Sequence, residues 1–203
     1  MNEETLKDDL AFLRTLAQSS GGMQARFGGA YVAAGLLYGL EALVGVAQMQ
    51  GWIAVAGAIS TAFHLGISLV FLVVLTVLLW RGRREVVSGV AARAVNAAFA
   101  AAGTTNVALI AIIGSVAWRE NSMTIWFIYP ATVFALQGAA WMISFILIRR
   151  PWLAVVAVGW FGTALAMALT IDTVGYVLSV AVGLFAFMLV PGLVMMRQAR
   201  RAA

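Results

Sequence analysis

Six long, uninterrupted apolar runs constrain this chain more than any other feature. They cover Phe27–Gln48, Ile53–Trp80, Ala94–Trp118, Met123–Ile148, Trp152–Thr170 and Val174–Met196. Crossing the hydrocarbon of a bilayer takes roughly 20 apolar residues at about 1.5 Å each. The second and fourth runs exceed that length, so tilt is expected there, and the fifth is the shortest. Transmembrane β-strands are excluded because the runs are continuous rather than alternating. Hydrophobic residues make up 63% of the chain and charged residues 10%, against roughly 45–50% and about 25% in soluble domains. A soluble core of this size could not hide so much apolar surface. The expected fold class is all-α, an integral membrane bundle of six transmembrane helices with an amphipathic N-terminal cytoplasmic helix. It divides into a helix and linker at 1–26, a six-helix domain at 27–196 and a short basic tail at 197–203.

The basic residues orient the spans. Lys7, Arg14 and Arg26 precede the first run, and Arg81, Arg83, Arg84 and Arg93 follow the second. Arg149 and Arg150 follow the fourth, and Arg197, Arg200 and Arg201 follow the sixth. With six spans, all of these share one face, and Arg119 alone stands on the other. Such segregation places the basic face, and both termini, in the cytoplasm. The net charge of +5 is then a matter of orientation rather than of nucleic-acid binding. No cleavable signal peptide is read, because the first residues are acidic and no apolar run begins before about residue 27. The expected location is the bacterial cytoplasmic membrane. The opposite loops, Met49–Trp52, Arg119–Ser122 and Ile171–Thr173, are too short for a catalytic or receptor domain, so any site lies between helices, at a helix mouth or on the N-terminal segment.

Residues 1–20 read as a surface helix. Thr5 and Asp8 have the spacing of a capping box, and Leu6, Leu10, Leu13 and Ala17 fall on one helical face. Gly21 and Gly22 are expected to end it. Glu3, Glu4, Asp8 and Asp9 make its start acidic, a poor match to anionic lipid. It therefore either packs on its own bundle or binds a protein partner. A faint repeat runs through the odd-numbered spans. Arg26, Arg93 and Arg150 are followed by Ala33-Ala34-Gly35, Ala101-Ala102-Gly103 and Ala157-Val158-Gly159, suggesting three hairpins in one orientation.

Several chemistries are closed to this composition. There is no Cys, one His (His64) and one Lys (Lys7), which lies outside the apolar runs. Thiolate metal sites, iron–sulfur ligation and covalent haem are therefore excluded, as are a multi-His zinc site within one chain and an intramembrane Schiff base. No cofactor is expected.

Two ionisable residues lie deep in spans. Glu41 is the one acid well inside an apolar run, where a charge costs about 2.5–3.5 kcal/mol to insert. His64 sits at similar depth on the next, antiparallel span, so a Glu41–His64 contact is expected. Together they either relay protons, since imidazole titrates near neutrality, or form a buried pair that locks the hairpin. Asn106, Gln137, Thr163 and Ser179 lie at comparable depth on the remaining spans. They suggest a polar belt, which serves either a binding path, with Asn106 and Gln137 beside Glu41 and His64, or interhelical hydrogen bonds. Asn96, Thr104 and Thr105 make the third span the most polar, so it is expected at the bundle centre. Gly35 and Gly39 form a small-xxx-small pair that admits a close helix, from this chain or a second copy. Trp52, Trp80, Trp118 and Trp152 read as interfacial anchors, and Trp141 and Trp160 as packing. Pro130 frees a backbone carbonyl in the fourth span, where a kink near Tyr129 is expected, and Pro191 falls near the inner end of the sixth.

Asp9-Leu10-Ala11-Phe12-Leu13-Arg14, Gly28-Gly29 and Ala33-Ala34-Gly35-Leu36-Leu37-Tyr38-Gly39 resemble small bacterial six-span inner-membrane proteins. The resemblance covers roughly the first 40 residues and implies no activity. Three functions follow from the residues. The first is a transporter or channel lined by Glu41, His64, Asn106 and Gln137, in a bilayer and as a homo-oligomer. The second is a non-enzymatic accessory or sensor protein that reports through its N-terminal helix to a protein partner. A lipid-modifying enzyme ranks last, because no second acid is buried beside Glu41 for paired acid–base work. The chain is expected not to be an enzyme.

Overall fold

The computed structural model describes the backbone of residues 3–82 and 90–202, and the side chains of 26–82 and 90–201. Arg83, Arg84 and the side chains of Leu6, Leu10, Leu13 and Ala17 lie outside the described residues. Seven α-helices and one π turn occur in the described residues. They are α1 (Glu3–Met49), α2 (Gly57–Gly82), α3 (Val90–Arg119), α4 (Met123–Ile148), α5 (Pro151–Leu169), α6 (Val174–Leu184), a π turn (Phe185–Leu189) and α7 (Val190–Ala202). Helices α6 and α7, joined through the π turn, form one continuous rod. Among the described residues, six segments are long and apolar enough to cross a membrane: Arg26–Met49, Gly57–Gly82, Val90–Arg119, Met123–Ile148, Pro151–Leu169 and Val174–Arg201. The chain is an all-helical, multi-pass bundle.

The expected break at Gly21-Gly22 is absent. Helix α1 runs through it unbroken for 47 residues, about 70 Å at 1.5 Å per residue. Two glycines in a helix cost roughly 1 kcal/mol each relative to Ala, so they weaken the helix without compelling it to stop. No separate N-terminal helix is formed.

Short connections use local chemistry that the sequence announces. Arg149 adopts the left-handed conformation (φ 59°), and its N–H closes α4 on the Phe145 carbonyl at 2.7 Å. Arg150 is extended, as a residue before proline must be, and Pro151 occupies the first turn of α5, where its missing N–H costs nothing. At the start of α4, the Ser122 hydroxyl accepts from the Ile125 N–H at 3.4 Å, the usual role of serine at that position.

The N-terminal and C-terminal spans close the bundle against each other. Their antiparallel seam is cut by small residues. A Cβ on Gly28 would stand 2.7 Å from the Gly192 carbonyl oxygen, and one on Gly35 would meet Leu189 N at 2.7 Å. A Cβ on Gly39 would stand 2.8 Å from the Phe185 ring. The Gly35–Gly39 pair therefore receives the sixth span of its own chain. The first and third small-residue triplets converge on the same element, since Gly159 is covered by Phe187 of the π turn. Gly103, in the middle triplet, has no atom within 4 Å.

Helix α5 carries the deepest core. Trp160 is 1% exposed and meets Phe134 of α4 edge-to-face, at 4.8 Å between centroids. Trp141, Ala157, Met167, Tyr176, Leu184 and Met195 complete this core. Trp141 and Trp160 are packing residues, as expected. Trp52, Trp80 and Trp118 are exposed, whereas Trp152 meets Trp141 edge-to-face at 5.7 Å rather than standing free as an anchor.

The other two spans are peripheral. Helix α2 lies on α1 and α3 lies on α4. None of α2 is buried, and Ala117 alone is buried on α3. This corrects the expectation that the third span runs through the centre. Thr104 is exposed and bonds back to the Ala100 carbonyl of its own helix at 2.9 Å, and Thr105 is exposed as well. A threonine that satisfies itself in this way needs no neighbouring helix.

Candidate functional site

Polar groups line the seam between α1 and α2 at matched heights. Nearest the α1–α2 loop, the Ser60 hydroxyl donates to Gln48 Oε1 at 3.3 Å. Four residues further along α2, His64 Nδ1 lies 2.5 Å from Glu41 Oε1. One turn deeper on α1, Tyr38 pairs with Ser68 of α2. Residues 48, 41 and 38 share one face of α1, and 60, 64 and 68 succeed one another at i+4 on α2, which is why the pairs line up. An open cleft of about 490 Å³, lined by Gln48, Gly51, Ile53, Ala54, Val55 and Ala56, sits over the loop end of this seam. Glu41 is seven residues below Gln48, about 10 Å.

The seam continues onto α3 and α4. Tyr129 of α4, within electrostatic reach of Tyr38, donates its hydroxyl to Asn106 Oδ1 of α3 at 2.7 Å. Two turns further along α4, Gln137 Oε1 accepts from the Tyr31 hydroxyl at 2.6 Å, and that hydroxyl accepts from Trp141 Nε1 at 3.1 Å. Beyond Tyr31 the lining turns aromatic. Phe27, Tyr31, Phe99 and Trp141 pack ring on ring there, with centroids 4.6–6.1 Å apart.

The expected contact between Glu41 and His64 is present. Asn106 and Gln137 do not join it; each has its own tyrosine, and the four residues are spread along one route rather than gathered at one point. Thr163 and Ser179 fall outside it. Their hydroxyls donate to the Gly159 and Gly175 carbonyls of their own helices, both at 2.8 Å. The belt of equal depth is therefore not a ring. Depth along a span says nothing about azimuth, and azimuth decides who meets whom.

The tyrosines were the missed participants. All four in the chain, Tyr31, Tyr38, Tyr129 and Tyr176, lie inside apolar runs. A buried phenol normally finds a hydrogen-bond partner, so each was a legible sign of a polar contact. Tyr176 donates to the Phe127 carbonyl at 2.8 Å and ties α6 to α4; the other three build the route.

Glu41 and His64 are not equally covered. The Glu41 side chain is 18% exposed and that of His64 41%. Glu41 Oε1 is engaged by the imidazole, while Oε2 is buried and has no hydrogen-bond partner. A carboxylate shared with an imidazole can hold a proton on either group, and its second oxygen is free to take a donor. No protein-family model, curated protein or solved structure matches the chain, so the geometry alone carries the functional reading.

Proposed function

We propose that this chain is a small transporter or channel of the bacterial cytoplasmic membrane, with both termini cytoplasmic and working as a homo-oligomer. Its path is the polar seam from the cleft at the α1–α2 loop, past Glu41 and His64, to Tyr129–Asn106 and Tyr31–Gln137. The single observation that carries this reading is the Glu41–His64 pair. An ionisable pair inside a span is costly to keep, and such residues are read by default as marking an ion or proton route. The aromatic cluster of Phe27, Tyr31, Phe99 and Trp141 closes the route on the side of the termini. The protein works without a cofactor and is not an enzyme.

The test is proton flux into liposomes that hold the purified protein and an internal pH-sensitive dye. Wild type should collapse an imposed pH gradient faster than protein-free vesicles. Glu41→Gln, which keeps the shape and removes the charge, should lower the rate at least tenfold while the thermal unfolding midpoint stays within a few degrees. Equal rates in wild type and variant would sink the proposal.

One observation favours a second reading, an accessory or sensor protein. The span that carries Glu41 belongs to the same unbroken helix as residues 3–25. A change at Glu41 could therefore be carried to a cytoplasmic partner. Deleting residues 1–20 would then release a partner while leaving proton flux at zero in both forms.

A further inference from the structure

The free oxygen of Glu41 has a chemistry that narrows what the path carries. Oε2 is buried without a donor, and a buried acceptor left unmet is costly. The groups around it decide which donor suits. Within the α1–α2 seam the titratable neighbours are His64 and Tyr38, and from α4 the one titratable group is Tyr129. From α6 the titratable group is Tyr176, which is engaged by the Phe127 carbonyl. No Lys, Arg or second acid lies inside any of these apolar runs. With the imidazole neutral, the site carries one negative charge, and a single positive charge brings it to neutrality in a medium that penalises net charge.

Charge count and ligand count then point the same way. An anion would add like charge. A divalent ion would leave a net positive charge, and it calls for more ligands than this pair supplies, since hard divalent cations take six or more oxygens. Among the described residues, no group of three His, Asp or Glu side chains gathers anywhere. An ammonium group needs no such cage. Its N–H donates directly to a carboxylate oxygen, and its positive charge is drawn to aromatic faces. Those faces are present. Tyr38 lies within electrostatic reach of Glu41, and its ring packs edge-to-face with Phe71 at 5.3 Å.

We propose that Glu41, flanked by His64 and Tyr38, is the binding site for a monovalent organic ammonium ion, which displaces one proton from the Glu41–His64 pair. This rests on the reading of the seam as a path, and it names the substrate class of that path. The ammonium donates to Oε2. The displaced proton leaves from the carboxyl or the imidazolium, so each cation bound releases one proton and the site's charge does not change.

The test uses full-length protein in nanodiscs, with benzylammonium as the probe and sodium and potassium chloride as separate arms. Calorimetric titration in two buffers of different ionisation enthalpy gives both the affinity and the protons released. Benzylammonium should saturate at one per chain and release close to one proton where the pair is protonated. There its affinity should weaken about tenfold for each unit of falling pH, as a one-for-one competition requires. Glu41→Gln should lose at least tenfold in affinity; Glu41→Asp, which keeps the charge but withdraws it, should lose less. If Glu41→Gln fails to fold, proton release by wild type still decides. Absence of saturable benzylammonium binding, binding without proton release, or preferential saturation by sodium or potassium each overturns the assignment. Proton flux measured without amine separates the two ideas. Flux with no amine binding removes the ammonium and leaves the path; amine binding with no flux, even across an amine gradient, removes the path and leaves the site.

Discussion

Tyr31 does more for this fold than its place in an apolar run suggests. Its hydroxyl is at once the donor to Gln137 and the acceptor for Trp141 Nε1, so one atom ties α1 to α4 twice. Tyr31→Phe removes a single oxygen and leaves the buried Trp141 N–H and the half-buried Gln137 carbonyl without this partner. The expected cost is about 1–2 kcal/mol, since each orphaned group carries its own desolvation penalty. Tyr176→Phe breaks one bond, to the Phe127 carbonyl. It should cost nearer the ~0.6 kcal/mol typical of a single interhelical hydrogen bond in membranes. Reversible unfolding of the two variants in mixed micelles would check the order, and equal losses would show that the Tyr31 network is not cooperative. Gln137 was legible as a polar residue at depth, and its partner was not. Nothing in the spacing between 31 and 137 says that they meet, because that depends on how α1 and α4 are rotated.

At the scale of elements, glycine has opposite consequences on different helices. Gly28 and Gly192 bring the backbones of α1 and α7 together, and a Cβ on Gly192 would stand 2.9 Å from both the Gly28 carbonyl oxygen and Val32 N. Neither backbone can yield cheaply, so Gly192→Val should cost at least the 1–3 kcal/mol of an overpacked core. Gly103→Ala meets nothing within 4 Å and should be neutral or stabilising by up to roughly 1 kcal/mol, the gain in helix propensity. A thermal-shift comparison in detergent would read both signs. The π turn belongs to the same account. Pro191 has no N–H to donate, and just before it the Val190 N–H reaches back five residues to Phe185. The wider turn presents Phe185, Phe187 and Leu189 to Gly39, Gly159 and Gly35 in turn. Pro191 was visible near the inner end of the sixth span. The rings it turns toward α1 and α5 were not, since an interrupted helix can widen, kink or stop.

For the whole molecule, the arrangement is a four-span centre with α2 and α3 on its flanks. An even number of spans puts both described ends of the bundle on one side, and the proposed orientation, argued from the arginine pattern, makes that side the cytoplasmic one. The absence of native cysteine makes this directly testable. Gly51→Cys and Asn121→Cys should react with a membrane-impermeant maleimide in intact cells. Arg150→Cys and Arg200→Cys should react only after the membrane is opened. Labelling of Arg200→Cys in intact cells would reverse the orientation, and with it the assignment of the α1–α2 cleft to the outer face.

Hydropathy is a property of neighbours in sequence, and a bilayer tests it directly. That is why the six spans and their approximate lengths could be read from residues alone. Glu41 and His64 were legible as two ionisable groups at one depth on antiparallel helices joined by a short loop, but that they touch depended on how α1 and α2 are rotated. Lateral order is different. With lipid as apolar as leucine, hydropathy does not rank one helix neighbour above another, so small-residue notches and buried hydroxyls decide it. Only the tertiary structure placed the first span against the sixth, left α3 outside despite its threonines, and separated Asn106 and Gln137 from the Glu41–His64 pair that their depth seemed to join.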